Sequence, residues 1–307
     1  MKSENDKYFE GWYYKQVKND DSFTISFIPG ISYNKEDPHS FVQCIICNEQ
    51  KKLTSHYFKY ETSDFEFSEE PFKIKIGNSY FSEKSIYLDL INDDIRINGE
   101  LSFVNLEGLE KSIFSPNIMG YFSYFPKMEC NHHIVSMNHQ VFGTIILNDK
   151  EINLNNGFGY IEKDWGISFP KEYIWLQCNH FDTHNIKIAL SVATIPFLGF
   201  SFKGFFCALI IEEKEYRFAT YNNSKLRINT LEEGYLSITF IKGKIEVEII
   251  AEVDNVLPLA SPKNGVMKNF IKEGLAGIIS VKFKNEKNGE IIEAKGKNAG
   301  IEIMMKK

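Results

Sequence analysis

Short apolar runs bounded by turn residues dominate the pattern along the chain. Short runs that are rich in β-branched and aromatic side chains predict β-strands. The clearest runs cover residues 23–28, 41–46, 85–90, 235–241, 245–250, 278–283 and 291–294. Charged and apolar residues alternate strictly from 244 to 248, as expected of a half-buried strand. Asn288-Gly289, between two of the runs, predicts a hairpin.

Helical periodicity is scarce, and the best helix candidate covers residues 263–273. Many short strands over 307 residues predict barrels or sandwiches. A charged turn at residues 148–150 predicts a boundary between two domains of ordinary size, 1–150 and 151–307. The pattern therefore predicts an all-β protein with two antiparallel domains.

Composition narrows the classes of partner. The aromatic content of 14% suits strands and an apolar cavity. The net charge of −6 argues against binding to nucleic acid, which needs clustered Lys and Arg. The first residues lack an apolar stretch, so we expect no signal peptide, and no apolar run is long enough for stable membrane insertion. The odd number of cysteines, five, is typical of a reduced compartment, so we expect a cytoplasmic protein.

The segment GFGYIEKDWG at residues 157–166 holds the richest chemistry. In a strand, Tyr160, Glu162 and Asp164 share one face, with Ile161 and Lys163 opposite. Paired acids in a confined site can separate their pKa values and leave one protonated. Such an acid can protonate an alkene, and an aromatic ring such as Trp165 can stabilise the resulting cation. The alternative interpretation is two solvated loop acids beside a core tryptophan.

Histidines and cysteines invite a metal interpretation, which their spacing does not favour. The segment ECNHH at residues 129–133 places His132 and His133 on opposite faces of a strand. The usual zinc spacings are absent, so a structural or substrate-facing histidine is the better hypothesis. The pair Cys44 and Cys47 lies in an apolar strand and is interpreted as core. Nucleotide-binding and nucleophile-elbow motifs are missing, so we predict no metal and no cofactor.

Several of these segments resemble the tocopherol cyclase family. YFEGWYYK at residues 8–15 resembles the FEGWYFK stretch that opens those enzymes. YIEKDWG at 160–166, FPK at 169–171 and WLQCN at 175–179 resemble their central signature, approximately YSEKNWG, FPRKW and WVQCN. Further matches at 115–120, 128–132, 196–200 and 299–303 resemble the bacterial branch and extend the resemblance over the whole chain.

The resemblance implies two lipocalin-like antiparallel β-barrels packed side by side. It implies a reaction without metal or cofactor, in which a proton adds to a prenyl alkene and a hydroxyl captures the carbocation. Asp164 stands where the plant motif has Asn, so the match implies Glu162 as proton donor, with Asp164 as the second catalytic candidate. The remaining site residues implied by the match contact a hydrophobic small-molecule substrate: Trp12, His133, Tyr160, Trp165, Trp175 and Gln177.

The cavity is expected near the junction of the two halves, because Trp12 comes from the first half and the other aromatic residues come from the second. A non-catalytic carrier of a hydrophobic ligand is the alternative function, and a purely structural role is a third. A carrier needs only an apolar cavity, whereas the enzyme needs a buried acid that points into it. The sequence leaves the substrate and the oligomeric state open.

Overall fold

The structure, a computed structural model, describes residues 7–125, 128–197 and 199–305. The described residues form strands, turns and three short 3-10 helices, Thr62–Asp64, Gly120–Tyr124 and Thr220–Asn222. The strands are β1 (Tyr8–Val17), β2 (Thr24–Tyr33), β3 (His39–Cys47), β4 (Leu53–Tyr60), β5 (Phe65–Ser68), β6 (Lys73–Ile76), β7 (Ser79–Ser82), β8 (Ser85–Ile91), β9 (Arg96–Glu107), β10 (Cys130–Leu147), β11 (Lys150–Asn153), β12 (Gly157–Gly166), β13 (Tyr173–Cys178), β14 (Ile186–Phe197), β15 (Phe200–Ile211), β16 (Lys214–Ala219), β17 (Lys225–Glu232), β18 (Tyr235–Lys242), β19 (Ile245–Glu252), β20 (Leu257–Lys263), β21 (Val266–Asn285) and β22 (Glu290–Ile303). In the ranges described, no helix has the length and apolar character needed to span a bilayer.

The first sheet is antiparallel and runs in the order β4-β3-β2-β1-β12-β10-β9-β8-β7-β6-β5, with β11 paired to β10. One apolar core collects buried side chains from both ends of this order, such as Phe58 of β4 and Ile76 of β6. The sheet therefore curves around this core as an incomplete barrel. Alternate residues of β1, such as Trp12 and Tyr14, point into the core.

The second sheet runs in the order β16-β15-β14-β13-β22-β21-β19-β18-β17, with β20 paired to β21. Its core is built mainly from Ile, Leu, Val and Phe side chains of these strands. The predicted all-β class with two antiparallel sheets is confirmed, and each of the seven strand predictions falls on a strand. The predicted Asn288-Gly289 turn joins β21 and β22.

The chain divides into two compact units whose bounds differ from a single boundary after residue 150. Unit 1 comprises residues 1–108, 130–169 and 259–270, and unit 2 comprises the rest. The charged turn at 148–150 is a hairpin within the first sheet, because β10 pairs with β11 on its two sides. Strand β12 then enters the same sheet between β1 and β10.

The predicted helix at 263–273 is wrong. Asn264 and Gly265 have φ angles of 54° and 79°, the left-handed conformation of a tight hairpin turn. They join β20 to β21. Residue 273 lies in β21 and pairs with residue 302 of β22. The residues around the turn belong to unit 1, where the Gln43 side chain exchanges two 2.9 Å hydrogen bonds with the Ala260 backbone. Sheet pairing therefore overrides the weak helical pattern.

Gly159 of β12 should be intolerant of any side chain. A methyl group there would collide with His139 Nε2 and Gln16 Oε1, which converge over it inside unit 1. We expect Gly159→Ala to lower the free energy of unfolding by about 1–3 kcal/mol through overpacking. The matched control is Gly11→Ala, whose nearest neighbours would be ordinary contacts at 3.8 and 4.0 Å. Urea unfolding of both variants checks this, and equal stability of the two would contradict it.

Candidate active site

Strand β12 presents the two acids of the central segment on one face. Tyr160, Glu162 and Asp164 alternate with Ile161, which lies in the core of unit 1 on the other face. Tyr160 is fully buried and Glu162 is only 4% exposed. The side chain of Asp164 is 22% exposed. The predicted common face of the two acids is confirmed, and Glu162 does not lie in a solvated loop.

Strand β10 adds a histidine to this face. Its register with β12 places His132 directly across from Asp164. The imidazole Nδ1 lies 2.8 Å from Asp164 Oδ1, and Nε2 lies 3.3 Å from Glu162 Oε2. The ring therefore bridges the two carboxylates, with one nitrogen facing each. We call these three residues the His132 cluster.

The two carboxylates decide the charge of His132. Burial on its own lowers the pKa of this ring, but the charges of Asp164 and Glu162 and the hydrogen bond to Asp164 outweigh it. The net effect raises the pKa of His132 from 6.5 to about 9. At neutral pH the ring is an imidazolium that carries a proton on each nitrogen; Nδ1 donates to Asp164, and Nε2 lies at ion-pair distance from Glu162. The His132 cluster therefore holds a proton between two groups that can accept it.

Tyr160 supplies a further donor to Glu162. Its hydroxyl donates to Glu162 Oε2 over 2.5 Å. Burial, and then the charge of Glu162, raise the pKa of Tyr160 well above 10, so the hydroxyl keeps its proton. Glu162 thus has polar partners on its own face, where the sequence predicted aromatic walls. These donors suit a carboxylate acceptor that can take up a proton from the neighbouring imidazolium.

The geometry of the His132 cluster also bears on metal binding. Its three side chains bring possible ligand atoms within 4.8 Å of one another. However, the two imidazole nitrogens face different carboxylates. A metal ion bound to either nitrogen would therefore have only one of the two carboxylates beside that nitrogen. A shared proton fits this arrangement better than a shared metal. Absence of a metal stays a prediction, and stoichiometric zinc or iron in elemental analysis of the purified protein would contradict it.

Trp12 and Trp165 do not share the face of Glu162. In the β1–β12 ladder Trp12 pairs with Lys163, one position away from Glu162. The Lys163 ammonium lies 4.7 Å from the Trp12 ring centre and 5.2 Å from that of Trp165, and it forms a 2.5 Å ion pair with Glu10. The expectation that both tryptophans surround Glu162 is therefore corrected, because neighbouring positions of a strand face opposite ways.

The other predicted site residues also separate. His133 pairs with Lys163 across the β10–β12 ladder, so it points away from Glu162 while His132 points towards it. Trp175 and Gln177 belong to β13 in unit 2, where both are buried on the face opposite Ile174 and Leu176. Their predicted role in substrate contact stays a prediction.

Sequence reasoning missed three residues on the face of Glu162. His132 was set aside for lack of zinc spacing, although a histidine pair in a strand must place one ring on each face. Lys15 is 1% exposed and lies directly across from Tyr160. Gly11 lies directly across from Asp164. Both belong to the YFEGWYYK segment, and only the β1–β12 register shows that they adjoin the acids.

Nuclear magnetic resonance can test the charge of the site directly. We expect the His132 ring to remain protonated through neutral pH and to titrate near pH 9. His56 is the internal reference, since burial lowers its pKa below 6.5. His139 should remain neutral, because burial lowers its pKa to about 3. A His132 resonance that titrates alongside that of His56 would contradict the ion pairs.

Comparisons with known proteins agree with the fold and with the central segment. The tocopherol cyclase-like family model matches residues 108–304. A protein from Oryza sativa subsp. japonica named "Probable tocopherol cyclase, chloroplastic" is 31% identical over 74 residues, which are 24% of this chain and 16% of that protein. The match therefore spans only a small part of that relative.

Solved structures are similar over nearly the whole chain. The crystal structure of CghA with Sch210972 has a TM-score of 0.63 at 9% identity, covering 97% of this chain and 88% of the other. Kievitone hydratase from Nectria haematococca has a TM-score of 0.56 at 9% identity, covering 97% of this chain and 89% of the other. At such low identity these likenesses show the fold alone, and they agree with the predicted lipocalin-like barrels.

Proposed function

The chain belongs to the tocopherol cyclase-like family, and from this premise we propose that it is an isomerase that closes an oxygen-containing ring by acid chemistry. The substrate is a hydrophobic molecule with a prenyl alkene and a hydroxyl group. The reaction needs no cofactor, since proton transfer and intramolecular addition conserve all atoms and electrons. The observation that most supports this proposal is the His132 cluster, in which an imidazolium lies between two carboxylates.

The first step is proton transfer to the alkene. Glu162 is the donor, and it takes its proton from His132 Nε2, 3.3 Å from its Oε2. A carboxylic acid is a much stronger acid than an imidazolium with a pKa of about 9. Protonation by Glu162 therefore gives the alkene a stronger acid than the imidazolium itself. His132 holds the proton until it is transferred to Glu162. The alkene π bond breaks, a C–H bond forms, and a tertiary carbocation results.

The second step is capture of the carbocation. The substrate hydroxyl oxygen forms a C–O bond, its O–H bond breaks, and the proton returns to the His132 cluster. The rings of Tyr13 and Tyr160 lie on the face of Glu162, with their centres 6.4 Å apart. Their π faces favour a cation near Glu162. Burial of Glu162 keeps water away from that cation, which favours ring closure over hydration.

The burial of the acid supports the isomerase over a carrier. A carrier gains nothing from a charged cluster on an almost fully buried face, since each buried charge costs free energy unless it is paired. Glu162 has both Tyr160 and His132 within reach. Pairing of this kind is typical of sites that hold a proton for chemistry.

A labelling experiment tests the proposed function. The purified protein is incubated with a geranyl-substituted hydroquinone in D2O, and the products are separated and weighed by mass spectrometry. We expect a cyclic isomer that carries one non-exchangeable deuterium, because the proton added to the alkene comes from the exchangeable acid. A product without this deuterium excludes the mechanism. Recovery of bound but unchanged hydroquinone would support the carrier instead.

A further inference from the structure

A tight turn of unit 2 carries two large apolar side chains at its tip. Ser112 and Ser115 exchange two backbone hydrogen bonds of 3.0 Å, so Ile113 and Phe114 are the two central residues of the turn. These two are 84% and 81% exposed, more than any other large hydrophobic residue in the described ranges. Central positions of turns ordinarily hold Gly, Asn, Asp or Ser. We call Ile113 and Phe114 the apolar tip.

Hydrogen bonds hold the base of this turn in place. Arg217 of β16 donates from Nη1 to Ser115 Oγ and from Nη2 to the Glu110 carbonyl oxygen, each over 2.7 Å. Its Nε donates to Glu215 over 2.8 Å, which fixes the plane of the guanidinium. The Tyr124 hydroxyl donates to the first carbonyl oxygen of the apolar tip over 2.8 Å. The fold therefore stabilises a turn that leaves its apolar side chains in solvent.

Aromatic residues of unit 2 adjoin the apolar tip. Tyr121 and Tyr124, which belong to the 3-10 helix after the turn, are both exposed. The ring of Phe122 in the same helix stacks on that of Phe202 in β15, with the ring centres 5.9 Å apart. Phe200 lies on the same face of β15 as Phe202 and is also exposed. Exposed apolar surface of this extent marks an interaction site.

The charges along these segments indicate the kind of partner. Residues 111–125 and 188–211 contain Lys111 and Lys203 and no acid, although the chain holds 41 acids and has a net charge of −6. Both lysines are exposed, and Glu110 borders the first segment. Lysines beside exposed apolar and tyrosine side chains suit an anionic lipid surface, which the rest of this acidic chain would repel.

We infer that the apolar tip docks on the surface of an anionic phospholipid membrane. Ile113 and Phe114 enter the boundary between headgroups and acyl chains, the exposed tyrosines lie at the headgroup level, and Lys111 faces the phosphates. The protein then lies on the membrane without spanning it. A second copy of this chain fits the tip less well, because two side chains offer far less than the about 800 Å² per partner of a stable dimer.

This inference goes beyond the proposed function and does not depend on it. A prenylated hydrophobic substrate would dissolve in the same membrane, so docking would bring the protein to its substrate. The test uses vesicles without substrate, so its outcome is separate from ring closure.

Sedimentation with vesicles of equal parts phosphatidylcholine and phosphatidylglycerol tests the docking. We expect Phe114→Ser to weaken binding about tenfold, since a phenylalanine side chain is no longer buried in lipid. Ile113→Ser should also weaken it, and Ile291→Ser is the matched control, because this isoleucine is 63% exposed on β22 of the same unit. Serine suits a turn, so urea unfolding should show the tip variants to be as stable as the wild type.

The lipid composition tests the charge. Lys111→Gln should weaken binding to the anionic vesicles about fivefold, the usual effect of one lysine near such a surface. Pure phosphatidylcholine vesicles should bind the wild type more weakly than the anionic ones. No sedimentation of the wild type, equal binding to both vesicles, or tip variants that bind like the wild type would overturn the inference. A wild-type dimer that light scattering shows to dissociate in Phe114→Ser would overturn it in favour of a second copy.

Discussion

Replacement of Glu162 by glutamine is expected to lower turnover of a prenylated hydroquinone by about a hundred- to ten-thousandfold, the usual contribution of a positioned acid. Glutamine preserves the shape of the side chain and can still accept the Tyr160 hydrogen bond, which is 2.5 Å long in the wild type. It cannot carry a proton from His132 to the alkene. The dissociation constant of the hydroquinone should remain within about threefold, since the substitution changes neither the size nor the shape of the side chain.

Steady-state kinetics and direct binding of the same substrate give the two quantities. Glu66→Gln is the matched control, because this glutamate belongs to the same sheet and its side chain is 68% exposed. The control should keep wild-type turnover. If Glu162→Gln also keeps it, Glu162 is not the acid. If the variant does not fold, Glu162 is a structural residue and the carrier function becomes the better explanation.

Removal of the charge at His132 should have the largest effect on stability. In His132→Gln, Glu162 and Asp164 remain on one face of β12 without the cation between them. Loss of one partner from a buried charged group typically costs about 3–5 kcal/mol of unfolding free energy. The double variant His132→Gln/Glu162→Gln removes one of the stranded charges, so it should recover part of that loss.

The effect of His132→Gln should also depend on pH in a defined direction. The pKa of His132 is raised from 6.5 to about 9 in the folded protein. The stabilisation from its charge is therefore complete below about pH 6.5 and is lost as the pH rises through 9. Urea unfolding at pH 6, 7.5 and 9.5 should show the difference between wild type and variant shrinking at the highest pH. A difference that stays constant would argue against a charged His132.

Local patterns in the sequence predicted the strands well, because each strand needs only alternation and turn residues at its ends. The helix predicted at 263–273 failed for a reason that was present in the sequence. Asn264-Gly265 is the same hairpin signal as Asn288-Gly289, and it was interpreted correctly only at the second position. The bounds of the two compact units were not visible in the sequence, because they depend on which distant strands pair, and β12 pairs with β1 from the beginning of the chain.

The candidate site was predicted only in part, because some of its residues come together through pairing between distant strands. Alternation along one strand placed Glu162 and Asp164 together, since this needs no partner strand. The contribution of His132 depends on the β10–β12 register, which includes irregularities beside Ile134 and Ser136. No spacing in the sequence reveals such a register. Trp12 was placed on the wrong face because residue types alone do not say which partner residue lies across from it.

The two faces of β12 separate the positions that carry the candidate chemistry from the positions that stabilise the fold. Even-numbered positions from 160 to 164 carry the acids and the tyrosine hydroxyl. On the other face, Ile161 packs in the core of unit 1, and Lys163 contacts Glu10 and the Trp165 ring. A library restricted to the even positions would sample new proton-transfer chemistry, and its folded members would be those that keep a partner for the His132 charge. Changes at Ile161, which is fully buried in the core of unit 1, would act on stability instead, so the two faces of one ten-residue strand divide chemistry from architecture.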